Sequence, residues 1–211
     1  MTANSTATKK GKSRALQNRI AEKIRRRFDL PKEDVMPAPM GLPGIDIRLS
    51  DRARAAFPWA VECKHHEVIE LRLWLQQTRT NCDLENRTAG IPLRPLLVMR
   101  LSPCKGLRYG GDFAIVERKD LCILLSRHPC PPDWWILTKS KKTIQFRQWL
   151  LESRGLCETM QTLTPLRPML VLLLEPSKGL PEGGEFAVIE VDDLIDLQAR
   201  VNEHTATETA R

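Results

Sequence analysis

No stretch of this 211-residue chain is apolar over the roughly 18 to 20 residues that a bilayer-spanning helix needs. Its polar start, Met1 to Lys12, holds no apolar signal core either. Together these absences point away from a membrane partner and toward a cytoplasmic protein. The six cysteines, at 63, 82, 104, 122, 130 and 157, include no C-x-x-C pair, which argues against zinc. Several stand inside apolar runs, where a reduced thiol behaves as a small hydrophobe. Acidic residues are scarce at the front, where the first thirty residues hold two against nine Lys and Arg.

With 42% apolar and 28% charged residues the body is globular rather than disordered, and its length allows one large or two small domains. The net charge of +7 is uneven: residues 1–30 carry +7, residues 31–128 carry +3, and residues 129–211 carry −3. A pI near 9.3 with the basic excess at the front favours a polyanionic partner.

Residues 1–12 read as a flexible basic arm. From Ser13 the apolar residues Leu16, Ile20, Ile24 and Phe28 recur at helical spacing, and Pro31 halts the helix after Leu30. An internal repeat dominates the rest of the chain. Leu93 to Leu121 aligns without gaps to Leu166 to Leu194 with 17 identities in 29 positions. Unrelated sequences would share roughly two at background usage. Upstream, with a two-residue gap, Trp59, Lys64, Trp74 and Cys82 match Trp134, Lys139, Trp149 and Cys157. Each copy, about 59–128 and 134–203, reads as strand, helix, strand, strand, helix, which gives an α/β sheet. Residues 204–211 read as a disordered tail.

Chemistry concentrates in Gly44-Ile45-Asp46-Ile47-Arg48-Leu49-Ser50 and Phe57-Pro58-Trp59-Ala60-Val61-Glu62-Cys63-Lys64. Side chains at i and i+2 of a strand share a face, so Glu62 and Lys64 point one way and Cys63 the other. Asp46 and Glu62 would supply hard oxygen ligands to a divalent cation, the carbonyl of Cys63 another, and water the rest. Lys64 would orient the attacking water or stabilise developing charge during phosphodiester cleavage. A bare E-x-K is also what an ordinary strand-surface ion pair looks like. His65 and His66 come directly after and would touch phosphate or stand in solvent at the strand end.

The whole set, a basic helix, G-x-D-I-x-L-S, F-P-x-x-V-E-C-K and a helix with W-x-x-Q, resembles the PD-(D/E)XK nuclease superfamily. The similarity covers about residues 9 to 128 and is greatest to small phage-type Holliday-junction-resolvase-like and restriction-like members. It implies a restriction-endonuclease-like core, a central mixed sheet flanked by helices, here spanning 13–128 and followed by a degenerate second copy over 129–203. It further implies that Asp46, Glu62 and Lys64 form the catalytic motif, that Gln77 lies near the catalytic centre, and that Mg²⁺ is the cofactor, with Mn²⁺ as a substitute. The implied activity is endonucleolytic, on branched DNA or, in the restriction or repair manner, on duplex DNA, in a phage or bacterial setting. A non-cleaving DNA-binding module is the alternative.

The basic residues Lys9, Lys10, Lys12, Arg14, Arg19 and Lys23, together with Gln17, are the expected DNA contacts, neutralising phosphates without reading sequence. In nucleases of the kind this chain resembles a Glu or Gln of the first helix can approach the metal, which Gln17 or Glu22 would do here, although a surface pair with Arg26 explains Glu22 as well. In the second copy Leu137 stands for Glu62 and Glu152 for Gln77, while Lys139 keeps the lysine. That copy is therefore expected to be catalytically inert, and the chain to form an intrachain pseudo-dimer or a homodimer.

Overall fold

A computed structural model describes residues 6–87, 90–103, 110–127, 134–140, 146–160 and 167–209, with the side chains of 6–10, 134–137, 140, 154 and 158–160 outside the described set. The chain divides into two compact units, Met1–Leu101 and Ser102–Arg211. That division falls inside the first sequence copy, between its third and fourth elements.

The first unit opens with helix α1, Thr6–Phe28. Residues expected to form a loose arm are thus helical from Thr6 onward: nothing between Thr6 and Phe28 is proline, and an established helix extends at one hydrogen bond per added residue. Leu16, Ile20 and Ile24 are at most 1% exposed, so the four-residue stripe is the buried face. The helix ends as the sequence suggests but two residues earlier. Asp29 adopts φ 49°, and the Leu30 N–H reaches back to the Arg25 carbonyl at 3.0 Å, a Schellman-type closure with Pro31 directly after it.

After a 3-10 turn at Lys32–Asp34, β1 (Val35–Pro37) and β2 (Ile47–Leu49) pair antiparallel with Met36 opposite Arg48. Ser50 caps the short helix α2 (Asp51–Ala56) by accepting from the Ala53 N–H at 3.2 Å. Strand β3 (Trp59–Lys64) runs parallel to β4 (Arg94–Leu101), joined through helix α3 (Leu71–Asn86), with Glu62 opposite Leu97. Five of the six β3 residues are buried, as a strand covered on both faces requires. Leu71, Trp74, Leu75, Thr78 and Cys82 form the buried face of α3.

The second unit contains β5 (Gly111–Glu117), α4 (Arg118–Ser126), β6 (Trp134–Ser140), α5 (Phe146–Met160), β7 (Arg167–Leu174), β8 (Gly184–Glu190) and α6 (Val191–Thr209). Its strands lie in the order β5-β8-β7-β6, with β6 and β7 parallel and the other neighbours antiparallel. Gly183 turns the chain into β8 at φ 60°, where an added Cβ would stand 2.4 Å from the Leu174 carbonyl oxygen. The C-terminal segment differs from the expected disordered tail, because α6 continues to Thr209. Thr205, Thr207 and Thr209 each donate at 2.9 Å to the carbonyl four residues earlier, and no Gly or Pro interrupts the run.

The chain is therefore α/β with parallel and antiparallel strand pairs, and each copy has the strand, helix, strand, strand, helix order. Among the described residues, no helix is long and apolar enough to cross a membrane.

Candidate active site

Asp46 is fixed by four hydrogen bonds before any ligand is considered. Its N–H donates to the Val61 carbonyl at 2.9 Å, and its carbonyl accepts from the Ala38 N–H at 2.8 Å. Its side chain accepts from the Cys63 N–H at Oδ2 (2.7 Å) and from Gln17 Nε2 at Oδ1 (2.8 Å). The approach to β2 is thus laced along β3, which brings the Asp46 carboxylate beside the residues flanking Cys63.

Glu62, 3% exposed, lies between those anchor points. Its Oε1 accepts from Lys64 Nζ at 2.8 Å and its Oε2 from Asn81 Nδ2 at 3.0 Å. Lys64 also donates to Gln77 Oε1 at 2.9 Å. The i, i+2 relation on β3 and the i, i+4 relation between Gln77 and Asn81 on α3 therefore close a frame: strand to lysine, lysine to helix, helix to glutamate. Asn81 spans further, donating to the Gly44 carbonyl at 2.9 Å and so tying the turn before Asp46 to Glu62.

Burial, and next to it the charge of Glu62, push the Asp46 carboxyl up to about 6 from an ordinary 3.8. The Cys63 N–H, Lys64 and Gln17 work the other way and do not overcome this. Two carboxylates within mutual influence and one lysine leave an excess of negative charge in a water-poor place. Such a site suits a divalent cation.

The structure distributes the remaining expected residues unequally. Gln17 is not a phosphate contact at the surface: it is 5% exposed and donates to Asp46, because its position on α1 is one residue from Leu16 and turns inward. Arg14 is likewise drawn into the protein, donating to the Ala38 carbonyl at 2.6 Å and to Gln17 Oε1 at 3.2 Å. Lys12 is exposed, Arg19 and Lys23 are half-buried, and the side chains of Lys9 and Lys10 lie outside the described residues. Glu22 binds Arg25 and Arg26 at 2.6 Å each rather than facing the site. His65 is held below its ordinary range by burial and by the charges of Arg100, Lys12 and Arg19. The His66 ring stands 5.5 Å from Trp74.

The sequence motifs do not single out Asn81. The signal available was its spacing, one helical turn after Gln77 on the same face of α3. Cys63 buries its side chain, and its N–H faces Asp46. In a strand the carbonyl of a residue leaves on the same side as its N–H, so the Cys63 carbonyl is directed to that side too.

The second copy retains the outline of this frame without its acid. Lys139 Nζ binds Glu152 Oε1 at 2.8 Å, the counterpart of the Lys64–Gln77 bond with a carboxylate in place of the carboxamide. At the Glu62 position stands Leu137, which offers no side-chain ligand. Among the described residues, no group of three or more His, Cys, Asp or Glu gathers as a metal cluster. A cation at Asp46 and Glu62 would take the rest of its shell from backbone carbonyl and water, as Mg²⁺ commonly does. Compared with known proteins, the chain matches no family model, no curated protein and no solved structure.

Proposed function

We propose that this protein is a divalent-metal-dependent DNA endonuclease of the PD-(D/E)XK kind, acting on branched DNA. The observation that carries this reading is the convergence of Asp46, Glu62 and Lys64 in one hydrogen-bonded frame held by Gln17, Gln77 and Asn81. The resemblance noted in the sequence supplies the substrate class and the cation.

Asp46, Glu62 and the Cys63 carbonyl would hold Mg²⁺, or Mn²⁺ in its place. When bound, the ion would neutralise the scissile phosphate and acidify a water. The chain's own residues account for the rest. Lys64, gripped by Glu62 and Gln77, presents an ammonium whose position is fixed on two sides, suited to orienting the attacking water or stabilising the phosphorane-like charge. Water oxygen bonds to phosphorus, one phosphorus–oxygen ester bond breaks, one water proton is given up and the leaving sugar oxygen gains one. Asn81 and Gln17 fix the angle of each carboxylate, which keeps both ligands in place before the cation arrives. Lys12, Arg19 and Arg100, whose charges act on His65 one residue past Lys64, would supply positive charge for the flanking phosphates.

The test is cleavage of end-labelled four-way junction, flap, single-stranded and linear duplex substrates with Mg²⁺ or Mn²⁺, by the protein and by Glu62→Ala. Metal-dependent cleavage of the branched substrates, lost in the variant while salt-sensitive binding persists, is expected. Equal cleavage by the variant removes Glu62 from the reaction. Binding without cleavage of any substrate makes the protein a non-cleaving DNA-binding module.

A further inference from the structure

The two sequence copies meet through the same strand of each. In the antiparallel β5–β8 ladder Ile115 faces Val188, which is its own counterpart in the repeat. On either side the pairing is reciprocal: Phe113 faces Glu190 and Glu117 faces Phe186, where Phe186 is the counterpart of Phe113 and Glu190 that of Glu117. The helices behave likewise, since α4 touches β8 and α6, and α6 touches β5. An interface in which residue i of one copy meets residue j of the other, and j meets i, is the isologous contact of a twofold dimer. Here the twofold passes between Ile115 and Val188 within one chain.

This contact is a core and not a brushing of surfaces. Phe113, Ala114, Ile115 and Val116 and their counterparts Phe186, Ala187, Val188 and Ile189 are all at most 2% exposed, and Leu121 and Leu194 are buried behind them. Among the described residues of this contact, the symmetry fails at the rim. Arg118 binds Glu185 at 2.8 Å, whereas the reciprocal positions hold Val191 and Asp112 and cannot form that pair. Both partners of this bridge are half exposed, so it adds little to stability.

We propose, resting on the endonuclease reading above, that this chain is a one-strand nicking enzyme: the strand through which two copies of the repeat pair is already paired within the chain, and only the first copy keeps the acid of the active centre. The β5 edge that makes this pairing is occupied by β8 of the same chain, so it is closed to β8 of a second molecule. Only one of the two halves carries an acid at the Glu62 position, the other having Leu137 there. Each productive encounter then breaks one ester bond on one strand. A second cut, on the opposing strand, needs a second encounter.

A supercoiled plasmid extruding a cruciform separates the outcomes, because it offers both duplex and a four-way junction. The first nick relaxes the circle and resorbs the cruciform, so a single-centre enzyme accumulates open circles. With the protein in the presence of Mg²⁺ or Mn²⁺, open circles are expected to exceed linear product at least tenfold at half conversion. Their rate of formation should be first order in protein, with sedimentation velocity showing the 24.1 kDa monomer. Linear product formed directly from supercoiled DNA, with no open-circle intermediate, overturns the nicking proposal while leaving the endonuclease reading intact. No conversion with either ion overturns both, and Glu62→Ala run in parallel assigns any nicking seen to this site.

Discussion

The Oδ2 atom of Asp46 accepts the backbone N–H of Cys63 at 2.7 Å, so the carboxylate is bonded to the peptide that lies between Glu62 and Lys64 in sequence. An acid from the irregular segment before β2 is thereby set against the strand that carries the other two groups. Burial of the position and the nearby charge of Glu62 raise the Asp46 carboxyl all the same, although the Cys63 N–H favours the ionised form. The relation also makes the acid hard to replace. Asparagine has one acceptor oxygen, and two donors, the Cys63 N–H and Gln17 Nε2, converge there.

Cation binding should therefore release protons, and more of them in acid. With its carboxyl near 6, Asp46 holds a proton below that pH, and a cation ligated there must displace it. Mg²⁺ affinity should rise by up to about tenfold per pH unit below that value and level off above it. Calorimetry in two buffers of different ionisation enthalpy would count close to one proton released per ion below pH 6 and few well above it. Affinity that ignores pH, or that survives unchanged in Asp46→Asn, would remove Asp46 from the cation site.

The carboxamides make a separate prediction because they act through the acids. Removing Asn81 with Asn81→Ala frees Glu62 Oε2 and the Gly44 carbonyl at once, and should cost roughly 10- to 100-fold in metal affinity or cleavage. Gln17→Leu removes a hydrogen bond that favours ionised Asp46, so the proton-release window should move to higher pH. A merely structural role would lower stability and leave that window where it is. Thermal unfolding and the proton count together distinguish the two.

Much of this frame is legible from residue order, and the reason is periodicity. Glu62 and Lys64 share a strand face by alternation, and the Leu16, Ile20 and Ile24 stripe marks the buried side of α1. Gln17 shows what periodicity does not decide. It adjoins the stripe and in sequence groups with the basic residues, but its side chain turns inward because an acceptor from a segment 29 residues away needs a donor. Arg14 goes the same way, drawn to the Ala38 carbonyl. Neither outcome depends on local sequence; both depend on where the turn-rich segment after β1 comes to rest. The repeat is visible from identity alone, whereas the facing of Ile115 and Val188 is not, since equal strands can pair in more than one register.

That difference between Arg14 and Lys12 can be measured on DNA. Lys12 is exposed and adds its charge near His65, so Lys12→Ala should weaken binding equally for all sequences and lower the slope of log K against log salt by about one. Arg14 gives hydrogen bonds to Ala38 and Gln17, so Arg14→Ala should reduce thermal stability and leave the salt slope almost unchanged. Fluorescence anisotropy at several salt concentrations reads the slope. Equal slopes for Lys12→Ala and the parent would remove this end of α1 from the DNA contact.

The second unit carries its own pH dependence through Asp193. Burial is the main cause that lifts its carboxyl to about 6 from 3.8, with Glu190 and Asp196 adding to the rise and Arg167, which binds it, opposing. Since the folded value exceeds the unfolded one, the folded state binds more protons between the two, and ∂ΔG/∂pH is negative there. Stability from this group is fully present below about 3.8 and is lost as pH rises through about 6. The loss is at most on the order of 3 kcal/mol and smaller where water screens the pair. Asp193→Asn should flatten this part of the profile, with urea midpoints falling less between acid and neutral pH than in the parent. Because Arg167 would keep a carboxamide acceptor, the variant should still fold, and a parent profile equally flat across that window would show that Asp193 is ionised normally.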